Sequence, residues 1–151
     1  MKDKNKILVF KNRKAFFDFE ILDKIEAGII LFGTEVKSIR MGNISMNGSY
    51  CYIDNNKIFI KGMDIAEYKE GTYNNHEPKR DRQLLLHKKE IERIKIKIEE
   101  KGLTIIPLSL YPNEFGIFKL EIGVGKGRKK YDRREYIKER ESKREIKENF
   151  G

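Results

Sequence analysis

Alternation of apolar and polar positions dominates most of the chain. Phe17, Phe19 and Ile21 interleave with Asp18, Glu20 and Leu22, and the mostly apolar run Ala27-Gly28-Ile29-Ile30-Leu31-Phe32 follows, which predicts a first strand pair. Gly33-Thr34-Glu35 breaks the pattern. With Thr34 as N-cap, Val36, Ile39 and Arg40 at helical spacing before Gly42 predict a short helix of about two turns. Tyr50-Cys51-Tyr52-Ile53 and Lys57-Ile58-Phe59-Ile60 flank the polar Asp54-Asn55-Asn56, which predicts a hairpin. Residues 69–83 carry no periodicity and read as a loop with room to move. Leu84, Leu85, Ile91, Ile94 and Ile98 then mark one face of a helix over about His87 to Lys101, stopped by Gly102. Thr104 to Leu110 and Phe115 to Val124 read as two more strands turning at Pro112-Asn113, with Pro107 at an edge or bulge. Short antiparallel strands with one helix between them predict a mainly β fold, a small closed barrel.

Beyond Gly127 the character changes. Tyr136, Ile137, Ile146 and Phe150 are almost the only apolar residues left, too few to hold a helix against a core. Helical propensity is nonetheless high, Asp132 suits an N-cap, and Glu139 and Lys143 form an i,i+4 pair, so this tail reads as disordered alone and helical when bound.

Composition sharpens that division. Among the 151 residues, hydrophobic and charged side chains each make up 38%, so the core is modest and some of the chain is extension. The net charge of +9 is unevenly placed: residues 1–14 and 126–151 each carry +5, leaving −1 on residues 15–125. A near-neutral body with two basic ends suits a polyanion, because neutralising phosphates releases condensed counterions. The competing reading is that basic ends only confer solubility. The parts are thus a basic arm (1–14), a barrel (15–125) and a basic tail (126–151). The longest apolar run, Ile29 to Phe32, is far short of the ~20 residues of a membrane span, and no secretory signal is recognised, so a cytoplasmic location is expected. The single Cys51 reads as a buried apolar filler.

Candidate chemistry is sparse. His76, His87 and Cys51 are scattered, so no metal site and no cofactor is expected. Glu26 and Glu35 lack a nucleophile or base beside them, so no enzymatic role follows, and Glu35 reads as favourable charge at a helix N-terminus. The run Gly125-Lys126-Gly127-Arg128-Lys129-Lys130 places four cations where they can follow a phosphate backbone, without the length or Ser/Thr of a Walker loop.

Six strings together resemble the SsrA-binding protein (SmpB) family, the partner of transfer-messenger RNA in bacterial trans-translation. They are Asn12 to Ala15, Glu26 to Ile29, Gly33 to Arg40, Leu84 to Lys88, Pro107 to Tyr111 and Gly123 to Arg134, in family order. The resemblance implies an oligonucleotide-binding barrel that grips the tRNA-like domain of transfer-messenger RNA. It also implies a tail that enters the mRNA channel of a stalled 70S ribosome at its decoding centre, with no catalysis and neither DNA nor membrane as partner. Carried over by position, the RNA-binding surface falls on Glu26, Leu85 and His87; Leu85 fits a plain core position equally well. The charge of Lys126, Arg128, Lys129 and Lys130 adds these four as RNA contacts, against the reading of a solvated linker. The ribosome-binding tail falls on Tyr131, Asp132, Arg133, Arg134 and Ile146. Asp132-Arg133-Arg134 stands where the family often has Asp-Lys-Arg, and Tyr131 where it often has histidine, another ring able to stack on a base. The rival reading is a general single-stranded RNA-binding or RNA-chaperone module of the translation apparatus. A nuclease would need a carboxylate cluster that the sequence does not offer.

Overall fold

The computed structural model describes residues 8–71 and 75–150, without the side chains of residues 130 and 143–150. Its elements run β1 (Phe10–Lys11), α1 (Arg13–Asp18), β2 (Phe19–Ile29), α2 (Gly33–Arg40), β3 (Ile44–Ser45), β4 (Tyr50–Asp54), β5 (Lys57–Lys61), β6 (Asp64–Ile65), β7 (Arg82–Leu85), α3 (Lys88–Lys101), β8 (Thr104–Pro112), β9 (Phe118–Gly127) and α4 (Lys130–Phe150). Strand order is β1-β8-β4-β5-β7-β2-β9, and a further β8–β9 pairing closes β8, β4, β5, β7, β2 and β9 into a ring. All its pairings are antiparallel. Closure removes the free sheet edge, as the predicted barrel requires.

The barrel interior is filled by Ile25, Ala27, Ile29, Ile58, Ile60, Leu84, Ile105, Leu110, Leu120, Ile122 and Val124, with Ile91 and Ile94 of α3 and Ile39 of α2 buried in the same cluster. Cys51 is buried there as expected, and burial pushes its thiol pKa up. The hairpin is formed as predicted: Asn55 and Asn56 take φ of 51° and 62° between Asp54 and Lys57, the left-handed pair of a type I′ turn. α3 ends at Gly102 in the left-handed region, and the β8–β9 register breaks after Pro107, both as predicted.

Several elements differ from the sequence reading. The predicted first strand pair is one strand, β2, paired with β9 from Phe19↔Gly127 to Gly28↔Lys119 and bulged between Ile21 and Asp23. The bulge lets one strand serve two cores: Ile25, Ala27 and Ile29 face the barrel, while Phe19 and Ile21 pack with Ala15, Ile106 and Leu108 in a second, small core. Phe17 lies in α1, where no helix was predicted; Asn12 holds its entry by donating from its backbone N to Leu108 O (2.8 Å) and from Nδ2 to Pro107 O (2.9 Å). α2 forms as expected, but its cap is different. Phe32 precedes the helix, its backbone N–H donates to Glu35 Oε1 at 2.7 Å, and Thr34 lies inside the first turn. Leu84 and Leu85 belong to β7, one buried and one exposed, because a short apolar run fits either period and the sheet claims it.

Candidate nucleic-acid interface

Pairing registers assemble one outward-facing row across the barrel wall. Gly28 pairs with Leu85 on one side and Lys119 on the other, and Lys119 pairs with Tyr111. Two residues back along β2, on the same face, Glu26 pairs with Glu121. A groove of about 380 Å³ lies over this row, lined by Glu26, Ala27, Gly28, Leu85, Leu86, His87, Glu90 and Lys119. The three body residues expected to bind RNA, Glu26, Leu85 and His87, thus lie together although about 60 positions separate the first from the others.

Each is held for a reason. Leu85 is 53% exposed, which rules out the plain core reading. Gly28 gives it room, since a Cβ there would stand only 3.2 Å from the Leu85 Cβ. His87 is the N-cap position of α3, its backbone N–H donating to Glu90 Oε1 at 3.0 Å, so the exposed ring is anchored at its base. Glu26 accepts a hydrogen bond from the Tyr111 hydroxyl, and burial together with that bond pushes the phenol pKa up. A carboxylate so placed repels phosphate and accepts from nucleobase N–H groups or a 2′-hydroxyl. Leu85 presents an apolar floor and Lys119 an ammonium group of the kind that pairs with phosphate. Lys119 and Tyr111 were not singled out from the sequence. The signals available were Lys119 between Phe118 and Leu120 in an alternating strand, and Tyr111 at the end of a family string.

The basic run divides. Lys126 and Lys129 are exposed, but Arg128 is built into the body: its backbone N donates to Asp18 O at 2.8 Å, and Nε donates to Phe16 O (3.3 Å) and Phe19 O (3.2 Å). Its guanidinium also lies 4.5 Å from the Tyr136 ring centroid, tying α4 to the α1–β2 junction. The Lys130 and Ile146 side chains lie outside the described residues. Tyr131 is 70% exposed. Asp132 sits in the first turn of α4 instead of capping it, where its carboxylate accepts from the Lys129 backbone N–H at 3.4 Å. Arg133 reaches back to Asp18 at 3.8 Å, and Arg134 is exposed.

A buried polar cluster joins α2 to residues 76–82, where the sequence predicted only a loop and a charged helix end. Glu35, fully buried, is bridged by Arg80 Nη2 to Oε1 (2.6 Å) and by Arg82 Nε to Oε2 (2.5 Å). Arg82 is also fully buried and spends its other donors on the carbonyls of Met63 (2.8 Å), Arg80 (3.1 Å) and Pro78 (3.0 Å). Burial alone would raise the Glu35 carboxyl; the Arg80 bonds, the Phe32 N–H and the Arg82 charge outweigh it and hold the pKa below 4.5. His76, 3% exposed, bonds Ile65 O through Nε2 and the Thr34 hydroxyl through Nδ1, each at 2.8 Å. The cluster pins residues 76–82 to α2. Among the described residues no group of three His, Cys, Asp or Glu could hold a metal ion, and no helix is long and apolar enough to cross a membrane.

The SmpB protein family model matches residues 9–151. The chain belongs to the SmpB family. Two relatives, each named SsrA-binding protein, show its closeness. That of Thermosipho melanesiensis is 51% identical over 141 residues, covering 93% of this chain and 96% of the relative. That of Chlorobaculum tepidum is 50% identical over 140 residues, covering 93% and 89%. A chain from a solved structure described as "tmRNA-SmpB: a journey to the center of the bacterial ribosome" superposes with a TM-score of 0.67 at 42% identity, covering 85% of this chain and 94% of that one. SmpB is an RNA-binding family.

Proposed function

We propose that this protein binds the tRNA-like domain of transfer-messenger RNA through the barrel groove and delivers it to stalled 70S ribosomes in the cytoplasm, catalysing no reaction itself. The observation that carries this reading is the juxtaposition of Glu26, Leu85 and His87 beside Lys119 on one open face, in a chain of the SmpB family. The mixture of one acceptor, one apolar pad, one ring and one cation suits a folded RNA read by shape and 2′-hydroxyls more than a plain phosphate track. Lys126, Lys129 and Lys130 extend the contact along the backbone at the exit of β9, while Arg128 orients that exit.

The arm, barrel and tail act as separate parts in this reading. Tyr131, Asp132, Arg133, Arg134 and Ile146 serve the ribosome, and the tail helix gains its stability in the mRNA channel, since few apolar side chains along it offer the body a face. A reconstituted translation system stalled on truncated messenger, supplied with charged transfer-messenger RNA, tests the reading. Peptide tagging should require this protein and should fail without it; tagging at the same rate in both would overturn the proposal.

A further inference from the structure

β2 ends at Ile29, but the alternation of exposed and packed positions runs on to the start of α2: Ile30 is 41% and Phe32 52% exposed, while Leu31 between them packs against the core. Four residues of chain separate Phe32 from Gly28, a reach of at most about 13 Å. The Arg80 guanidinium carbon lies 4.0 Å from the Phe32 ring centroid. That guanidinium is itself immobilised, forked onto both Glu35 oxygens (Nε 3.0 Å, Nη2 2.6 Å) and donating to Ile30 O at 3.2 Å. Glu35 is locked in turn by Arg82 and by the Phe32 backbone N–H. The ring therefore sits on a fixed base, a guanidinium held by a buried carboxylate that it shares with Arg82.

We propose that Phe32, seated on Arg80, is a stacking platform for an unpaired nucleobase of the RNA that occupies the groove. The inference rests on the RNA-binding reading of that groove. A phosphate is a poorer match for this pad, because the Arg80 guanidinium beneath it already spends Nε and Nη2 on Glu35 and Ile30 O and its face on the ring. A flat aromatic face that loses little freedom on binding is what base stacking requires. An apolar protein partner would want buried area instead, and leucine would supply that almost as well as phenylalanine.

The test is a filter-binding titration of the full-length protein with a transcribed tRNA-like domain, using Phe32→Leu, Phe32→Tyr and Leu85→Ala, each checked by thermal unfolding. Phe32→Leu should weaken binding at least about fivefold, Phe32→Tyr should bind as the parent does, and Tm should move little in either. Parent-like affinity in Phe32→Leu overturns the platform. If Leu85→Ala is weakened in that same experiment, the groove reading stands without it; if Leu85→Ala also binds normally, both fall. Should Phe32→Leu lower Tm markedly, the Tyr variant decides: lost affinity in a stable Phe32→Tyr protein overturns the platform, and retained affinity upholds it.

Discussion

Glu35 shows how much a single residue can hold. Its carboxylate and the Arg82 guanidinium are both fully buried, so removing Arg82 leaves one Glu35 oxygen short of its buried partner, with Arg80 alone to balance the charge, and strands the carbonyls of Met63 and Pro78. Breaking a buried pair outright costs roughly 3–5 kcal/mol, and because Arg80 still balances Glu35, Arg82→Ala should lose about 3 kcal/mol, the lower end of that range, in urea unfolding. Arg80→Ala should lose less, because the Arg80 side chain is 20% exposed and water replaces part of its contact. The pH dependence follows from the depressed Glu35 pKa. Its contribution is fully present above the ordinary value of 4.5 and is lost as pH falls through the lower folded value. Glu35→Gln should therefore be less stable at neutral pH and show a shallower loss below about pH 4.5, where a parent-like acid limb in a stability–pH series would contradict the assignment. None of this network was legible in the sequence. Glu35 was readable as a helix-end charge, but its partners lie 45 and 47 positions away in a stretch without periodicity.

At the scale of elements, the sequence was most informative where local chemistry decides the backbone. Asn55-Asn56 announces its own turn, and Asn56→Ala should cost about 1 kcal/mol in equilibrium unfolding, the penalty for a Cβ at positive φ, whereas Asn56→Gly should cost nothing. Gly102 and Pro107 were legible for the same reason. What was not legible depended on distant partners. Leu84-Leu85 took the strand period only because β2 and β5 flank it, and α1 exists because Pro107 and Leu108 present carbonyls to Asn12. Among the described residues the tail helix touches the body near its start, through Arg128 over the Tyr136 ring at 4.5 Å, Arg133 with Asp18 and Arg133 over Phe17 at 5.8 Å. Deleting residues 133–151 should leave Tm nearly unchanged and abolish tagging; a barrel that melts early without them would contradict the division into parts.

For the whole molecule, charge and topology work together. The ends each carry +5 on a body of −1, and the barrel brings Glu26, Leu85, His87 and Lys119 to one face that no local pattern could reveal. The resemblance supplied three of those positions; only the strand registers supplied their company. If about five phosphates are neutralised, log K should fall against log salt with a slope of roughly −3.5 to −4.5, and a flat response would refute the electrostatic share of the binding. Selectivity for a folded RNA is the property that decides between the two binding modes. In a competition titration at fixed salt, the tRNA-like domain of transfer-messenger RNA should displace a bound labelled copy far more effectively than an unstructured RNA of equal length. Equal displacement by the two would contradict that selectivity and favour a general single-strand binder.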